Sequence, residues 1–296
     1  MNLPSDYIAR LSAYGECRVE PIGSRTSFGI GGDALCFYPS SIIALKSALP
    51  LLAQRPYAVM GGLSNVLCAD GELQTTLVFL RDGDFTRMAK EGKVWYLGAG
   101  LKVSHVLHRC LDLGLGGFEF AVGLPACVGG LTKMNATFRG EGIETIIEGV
   151  VVLTSAGEIK TLLGDELGIA YRKTALDNTI VLGIYVQLVA RDPQVSKAIM
   201  RENVAFRKSK QAWGDRSAGC VFKNPSPDQP AGRLIDACGF KGAFFGGAFV
   251  SEKHANFIVN KSHATAADVE ALIAQVKIAV KAMTGIVLEE EIIRIS

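Results

Sequence analysis

Tyr57-Ala-Val-Met-Gly-Gly-Leu-Ser-Asn65 is a short apolar run that breaks into paired glycines and a polar tail. Its length and bounding residues read as a buried strand, Tyr57 to Met60, ending in a tight turn. Upstream, Ser41 to Gln54 reads as a helix. Ile42, Leu45, Leu49 and Leu52 recur near the helical period, and Pro56 follows the end. Downstream, Leu77 to Leu80 is another short strand. Val94 to Leu97 is a third, followed by Gly98-Ala-Gly100 and a helix from Lys102 to Asp112. Strand, glycine and helix alternate, so the first half is expected to be an α/β region.

Further along, Glu148 to Thr154 reads as a strand closed by a turn at Ser155-Ala-Gly157, and Ile180 to Val189 as another strand. Asp192-Pro193 is the best linker candidate, because proline disfavours helix in the residue before it. A charged helix, Ser196 to Lys210, follows. The last helix carries the clearest signals. Thr265 caps it with Asp268 three residues on, and Val269, Leu272, Ile273, Val276, Val280 and Met283 form one face. Gly285 ends it, and Ile286 to Ile295 reads as a terminal strand.

The chain has 296 residues, 49 % hydrophobic and 20 % charged, enough to bury a core in more than one domain. The net charge is +2 with both signs interspersed, so no basic stripe points to nucleic acid. No apolar run reaches the ~18 residues of a membrane span, and the start lacks the pattern of a signal peptide. Seven scattered cysteines, with no C-x-x-C, favour reduced thiols and a cytoplasmic location.

Glycine clusters carry most of the functional signal. They are Thr26-Ser-Phe-Gly-Ile-Gly-Gly32, Gly61-Gly-Leu-Ser-Asn65, and Gly123-Leu-Pro-Ala-Cys-Val-Gly-Gly130 followed by Met134-Asn-Ala136. Consecutive amides in such turns can cradle a pyrophosphate; each cluster can equally be only a tight turn. There is no P-loop motif. Gly98-Ala-Gly-Leu-Lys-Val103 has Val103 where a dinucleotide fingerprint needs its third glycine. His105 and His108 lie three apart on a helix with no third ligand, so no metal site is expected. His254 is open between loop packing and substrate contact. No G-x-S-x-G supports a serine hydrolase.

Several segments occur in an order and spacing that resemble the UDP-N-acetylenolpyruvoylglucosamine reductases. They are Ser27 to Gly32, Gly61 to Asn65, Gly116 to Pro125, Met134-Asn135, Tyr171-Arg172, Ala218-Gly-Cys-Val-Phe-Lys-Asn-Pro225, Ala231 to Asp236, Ser251-Glu-Lys-His-Ala-Asn-Phe257 and Leu288-Glu-Glu-Glu-Ile292. The resemblance runs from about Ser24 to the C-terminus. It implies an α/β (α+β) fold. A two-part FAD-binding domain of the vanillyl-alcohol-oxidase/PCMH type would be followed by a smaller α/β substrate-binding domain. The expected divisions are 1–75 and 76–192 for the FAD-binding parts and 193–296 for the substrate part. The short spacing between Tyr171 and Ala218 resembles the form of the family without an extra substrate-covering loop. Four departures stand out: Ala126-Cys127 in place of Gly and Ser, Thr137-Phe-Arg139 in place of Gly-Ala-Tyr, Ala212 and Arg216 in place of prolines, and Cys220 in place of serine.

The resemblance implies bound FAD, NADPH as co-substrate and a UDP-sugar substrate, in a monomer. The reaction would reduce the enolpyruvyl ether of UDP-N-acetylglucosamine to the lactyl ether of UDP-N-acetylmuramate. Cofactor contacts are expected from Gly61, Gly62, Leu63, Ser64, Asn65, Gly123, Leu124, Val128, Gly129, Gly130 and Asn135. Substrate contacts are expected from Tyr171, Lys223, Asn224 and Arg233. Arg172 suits the charge that develops on the substrate carboxylate, since a guanidinium pairs with it bidentately. Cys220 suits proton delivery, because a thiol near pKa ~8.5 is a better acid than a hydroxyl. Glu291 is the partner acid implied by the last segment. Strand alternation puts Glu289 and Glu291 on one face and Glu290 on the other. The competing readings are a flavoenzyme of the same scaffold with another substrate, and a flavin- or nucleotide-binding protein without catalysis.

Overall fold

The computed structural model describes residues 5–296. It divides into two compact units. The first comprises the chain up to Arg18, Leu35–Gly62 and Thr75–Ala205; the second comprises Val19–Ala34, Leu63–Gln74 and Phe206–Ser296. The chain therefore passes back and forth between units, whereas the divisions expected from sequence are consecutive. Asp192-Pro193 opens the helix Pro193–Lys210, with the Asp192 carboxylate accepting from Gln194 N at 2.7 Å. Proline is favoured at a first helical position, where its missing N–H is no loss.

Four strands, most of whose residues belong to the first unit, run in the order Gly15–Pro21, Asp33–Pro39, Thr76–Phe79, Tyr57–Met60, with the last three pairing in parallel. The helix Ile42–Leu52 begins where Ser41 accepts from Ala44 N at 3.0 Å. Its Leu45, Ala48, Leu49 and Leu52 are buried. Tyr57–Met60 is half-buried, not fully buried as expected. A second sheet is antiparallel throughout, in the order Ile159–Leu163, Ile147–Thr154, Thr179–Val186, Val94–Gly98, Met88–Glu91. The run expected as Ile180 to Val189 stops at Val186, and Val189–Ala190 pairs separately with Leu115–Gly116. The helix Val103–Leu113 closes on Gly114 at φ 63. His105 and His108 lie on its exposed face.

Within this unit Gly98-Ala-Gly100 serves packing. A β-carbon at Gly100 would lie 1.7 Å from the Leu80 carbonyl oxygen, so only glycine lets the two backbones meet there.

A carboxylate lies inside the same core. Glu119 is 4 % exposed, between the stacked and fully buried rings of Phe118 and Phe120. Gly117 N donates to its Oε2 at 2.7 Å, Ser196 Oγ to its Oε1 at 2.6 Å, and Arg191 pairs with Oε1 at 2.9 Å. Asn203 Nδ2 donates to the Glu119 carbonyl at 3.2 Å. One residue thus fastens the helix Pro193–Lys210 along its length. Burial alone would raise the Glu119 pKa. The bonds from Ser196 and the backbone, with the Arg191 charge, outweigh it and hold the carboxyl below its usual range. Burial, reinforced by the negative charge of Glu119, pushes the Cys110 thiol up to about 12, which disfavours the reactive thiolate.

The second unit is built on the helix Ala266–Thr284. Val269, Leu272, Ile273, Val276 and Val280 are buried on one face; Met283, expected there, is 61 % exposed. Thr265 and Asp268 form the capping box, and Gly285 ends the helix at φ 75. The Asp70 carboxylate adds acceptors for Ala266 N and Ala267 N at 2.6 and 3.2 Å. A three-stranded antiparallel sheet, Phe244–Phe245, Ala248–Val250, Ile258–Asn260, also belongs here. The terminal strand is shorter than expected. Only Ile293–Ile295 pairs as a strand, in parallel with Val66–Cys68, because that partner has three residues. Among the described residues no helix is long and apolar enough to cross a membrane.

Glu119→Gln keeps the shape but leaves Arg191 without its counter-charge. Thermal or urea unfolding should show a loss of roughly 3 kcal/mol at neutral pH. The native pKa is depressed, so the advantage of wild type is present above the unfolded-state value. It should vanish as pH falls through the native one. Equal loss at every pH would remove the carboxylate from this role.

Candidate active site

The first unit carries Tyr171, Arg172, Asn135, the segment Gly123 to Gly130 and the glycine pair Gly61-Gly62. Arg172 sits at φ 53 inside a tight turn in which Ala170 and Lys173 exchange both backbone hydrogen bonds at 3.0 Å. Its Nη1 donates to the Asn135 carbonyl at 3.3 Å and to Thr137 Oγ1 at 3.2 Å. The guanidinium carbon lies 5.6 Å from the ring centre of Tyr171, which is 53 % exposed. The charge is therefore oriented by fixed acceptors and an aromatic face.

Asn135 organises this corner. It is 1 % exposed, with φ 39. Its Nδ2 donates to Glu144 Oε2 at 2.7 Å and to the Ala170 carbonyl at 2.9 Å. Its Oδ1 is buried and has no hydrogen-bond partner among the described residues. A cavity of about 10 Å³, lined by Asn135, Thr132, Ile143, Ile147 and Thr174, adjoins it.

The loop Gly123 to Gly130 is laced to the segment before the helix Val103–Leu113. Val128 N donates to Leu101 O at 2.9 Å, Gly129 N to Ala99 O at 2.8 Å, and Leu124 N to Ala121 O at 3.1 Å. These three amides are engaged by protein carbonyls, so they do not form the run of free donors that the glycine pattern suggests. Close packing explains the pattern better. A β-carbon at Gly62 would lie 1.9 Å from the Pro125 carbonyl oxygen, and one at Gly61 would lie 3.2 Å from Cys127 Cβ. Gly123 takes φ 80. Gly130 differs, since a β-carbon there meets nothing within 4 Å. Gly130, on the helix Val128–Lys133, thus has open space beside its backbone. Burial raises the pKa of Cys127, the residue before this helix, although the Lys102 and Arg81 charges oppose the rise.

In the second unit, Leu63 takes φ 52, and its carbonyl accepts from Ser27 N at 3.1 Å. Ser64 O accepts from Ser27 Oγ at 3.3 Å. Asn65 Nδ2 donates to the carbonyl of Glu291 at 2.9 Å, and Ile293 N donates to Asn65 O at 2.9 Å. Asn65 thus holds the backbone that carries Glu291.

The same unit brings Cys220 and Glu291 onto neighbouring segments. Phe222 and Glu290 form an antiparallel bridge, with Glu291 N donating to Val221 O at 2.8 Å and Lys223 N to Glu289 O at 2.9 Å. This register sets Val221 opposite Glu291, so Cys220 and Glu291 do not stand directly across from each other. Glu289 pairs with Lys223, and Glu290 with Lys277 and Arg294. Cys220 and Glu291 are both half-buried. Asn224 Oδ1 accepts from Ala231 N at 3.0 Å, at the start of the helix Ala231–Ala237, and Arg233 Nη2 donates to Asp228 O at 3.2 Å. Arg172 belongs to the other unit.

Asn256 went unassigned in the sequence, although the Ser251–Phe257 segment contains it. It is 2 % exposed and grips Phe222 at both ends: Phe222 N donates to Oδ1 at 2.9 Å, and Nδ2 donates to Phe222 O at 2.8 Å. It fixes the backbone two residues from Cys220. His254 is edge-on to Phe257 at 4.9 Å, and its Nδ1 accepts from Asn256 N at 3.3 Å. Burial first, then the Lys241 charge, lower its pKa and favour the neutral ring.

Residues 211–295 match the family model of the C-terminal domain of UDP-N-acetylenolpyruvoylglucosamine reductases, MurB_C. The UDP-N-acetylenolpyruvoylglucosamine reductase of Syntrophotalea carbinolica is 38 % identical over 279 residues, which are 92 % of each chain. That of Heliobacterium modesticaldum is 37 % identical over 281 residues, 92 % of this chain and 88 % of the relative. The crystal structure of UDP-N-acetylenolpyruvylglucosamine reductase (MurB) from Thermus caldophilus superposes with a TM-score of 0.80 at 34 % identity, covering 94 % and 99 % of the two chains. The class is thereby an α/β oxidoreductase. The chain belongs to the UDP-N-acetylenolpyruvoylglucosamine reductase family, which serves peptidoglycan precursor synthesis.

Two glycines separate packing from ligand contact. Gly62→Ala should destabilise the flavin-free protein by about 2 kcal/mol through overpacking. Gly130→Ala should leave that stability unchanged or raise it, since alanine is the better helix residue; the cofactor contact expected of Gly130 from the sequence would show as a ~10-fold loss of FAD retention. Calorimetry of the flavin-free variants and titration with FAD check both; unaltered retention in Gly130→Ala would exclude that contact.

Proposed function

We propose that this protein catalyses the NADPH-dependent, FAD-mediated reduction of UDP-N-acetyl-3-O-(1-carboxyvinyl)glucosamine to UDP-N-acetylmuramate. The observation that carries this reading is the identity of 38 % spread over 92 % of both chains in a relative named for that reduction. The open space beside Gly130 and the left-handed turn at Gly123 fit a bound dinucleotide. When bound, FAD supplies the hydride chemistry.

The chain's own residues supply the rest. Negative charge develops beside the substrate carboxylate as hydride arrives at the neighbouring carbon. A guanidinium fixed in advance stabilises that charge without reorganising at the moment of reaction. Arg172 meets the requirement, because its Nη1 is already held by Asn135 and Thr137. Cys220 Sγ is the proposed proton donor to the carbon that carries the charge. Its segment is fixed by Asn256 and by the pairing with Glu290. Glu291 is the proposed partner acid. Lys223, Asn224, Arg233 and Tyr171 are the proposed substrate contacts. NADPH and the UDP-sugar are the proposed small-molecule partners of a monomer in the cytoplasm.

Stopped-flow kinetics of Cys220→Ala test the assignment. NADPH should still bleach the flavin at the wild-type rate, while reoxidation by the enolpyruvyl sugar falls at least ~100-fold, the range of general acid catalysis. Cys220→Ser should retain part of the turnover. Wild-type reoxidation in the alanine variant would remove Cys220 from the proton transfer. Asn256→Ala should slow the same half-reaction without changing flavin reduction. If both half-reactions slow together, its role is general folding.

A further inference from the structure

We infer that Thr137 is a positioning residue for Arg172, acting through its hydroxyl oxygen. The inference deepens the proposed function, because it takes Arg172 as the group that meets the substrate carboxylate. Thr137 lies on the short hairpin formed by Thr137–Phe138 and Glu141–Gly142, with Phe138 opposite Glu141 and Thr137 opposite Gly142. The loop between them is two residues long, Arg139 at φ 53 and Gly140 at φ 85. Positive φ at both positions marks the turn whose twist matches the paired strands. Arg139 tolerates this backbone while its side chain pairs with Glu202 at 2.7 Å.

The partner residue restricts the threonine. A β-carbon at Gly142 would lie 2.5 Å from Thr137 Cγ2, so the threonine methyl occupies the space that any other residue at 142 would need. A β-branched side chain has few χ1 choices, and a methyl seated over a glycine leaves fewer. The hydroxyl is thereby aimed, and Oγ1 accepts from Arg172 Nη1 at 3.2 Å. The same Nη1 donates to the carbonyl of Asn135, two residues before Thr137. Two acceptors on one short segment therefore fix one end of the guanidinium. A glycine or alanine at 137 would remove one of these two acceptors. Threonine supplies a neutral acceptor, which orients the guanidinium without neutralising the charge that the substrate needs.

Three variants test this. Thr137→Val keeps the methyl over Gly142 and removes the oxygen, Thr137→Ser keeps the oxygen, and Arg172→Lys removes the fork. For Thr137→Val, kcat/KM for the enolpyruvyl sugar should fall ~5-fold, the effect of one net hydrogen bond. Flavin reduction by NADPH should be unchanged. Thr137→Ser should stay within about two-fold of wild type, and Thr137→Val should add nothing in the Arg172→Lys background. In the flavin-free protein carrying nitrogen-15 arginine, the Arg172 Nη protons should exchange with water faster in Thr137→Val than in wild type. Unchanged kcat/KM and exchange in Thr137→Val, a serine variant no better than valine, or a full valine effect without Arg172 would each overturn the assignment. A wild-type protein that fails to convert the enolpyruvyl sugar would refute the proposed function instead, and the exchange measurement would still decide the Thr137 contact.

Discussion

A polar group removed from water must find its partners inside the protein, and this requirement fixes the parts of the molecule that matter most. In the first unit it acts through Glu119 and Asn135. Glu119 gathers a backbone amide, a serine hydroxyl and a guanidinium, and so pins the helix Pro193–Lys210. Asn135 joins Glu144, the Ala170 turn and, through its carbonyl, Arg172. In the second unit Asn256 matches both polar groups of Phe222. Apolar burial supplies most of the stability of each core. Near the candidate site, these amides and carboxylates set which backbone lies where, because their bonds are directional and burial alone is not.

The candidate chemistry is mounted on that frame. Arg172 occupies a left-handed backbone position in a closed turn, with its charge held by acceptors from one short segment. Cys220 follows Gly219 at φ 82 and leads into a segment clasped by Asn256 on one side and by the Glu289–Glu291 backbone on the other. Asn65 completes the second clasp by holding the Glu291 carbonyl. Each unit thus fixes its own candidate groups through backbone contacts, which are less easily lost to side-chain motion than contacts between long polar side chains.

Local signals were legible where the physics is local. The cap at Thr265, the terminating glycine Gly285 and the apolar face of Ala266–Thr284 depend on residues within a few positions of one another. Edge strands such as Met88–Glu91 and Ile159–Leu163 were not foreseen. Their side chains are largely exposed or half-buried, so they carry no apolar period to read. The motifs located Cys220, Arg172 and Glu291 as residues but gave no register. The pairing of Val221 with Glu291 joins segments seventy positions apart. The glycine clusters are legible both as anion cradles and as tight turns, and several of their amides meet protein carbonyls; the pattern of a tight cradle and that of a close backbone crossing are the same in one dimension.

By itself the sequence determined the four longest helices, several of the strands, the family resemblance and the residue types able to hold a carboxylate or deliver a proton. These follow from periodicity, capping and ordered motifs, all of which are properties of neighbours along the chain. Only the tertiary structure decided that the chain passes back and forth between two units, that Asp192-Pro193 opens a helix, and that Thr137 reaches Arg172. Those outcomes depend on which distant backbone fills the space beside a residue, and close packing settles that only when the whole fold is assembled.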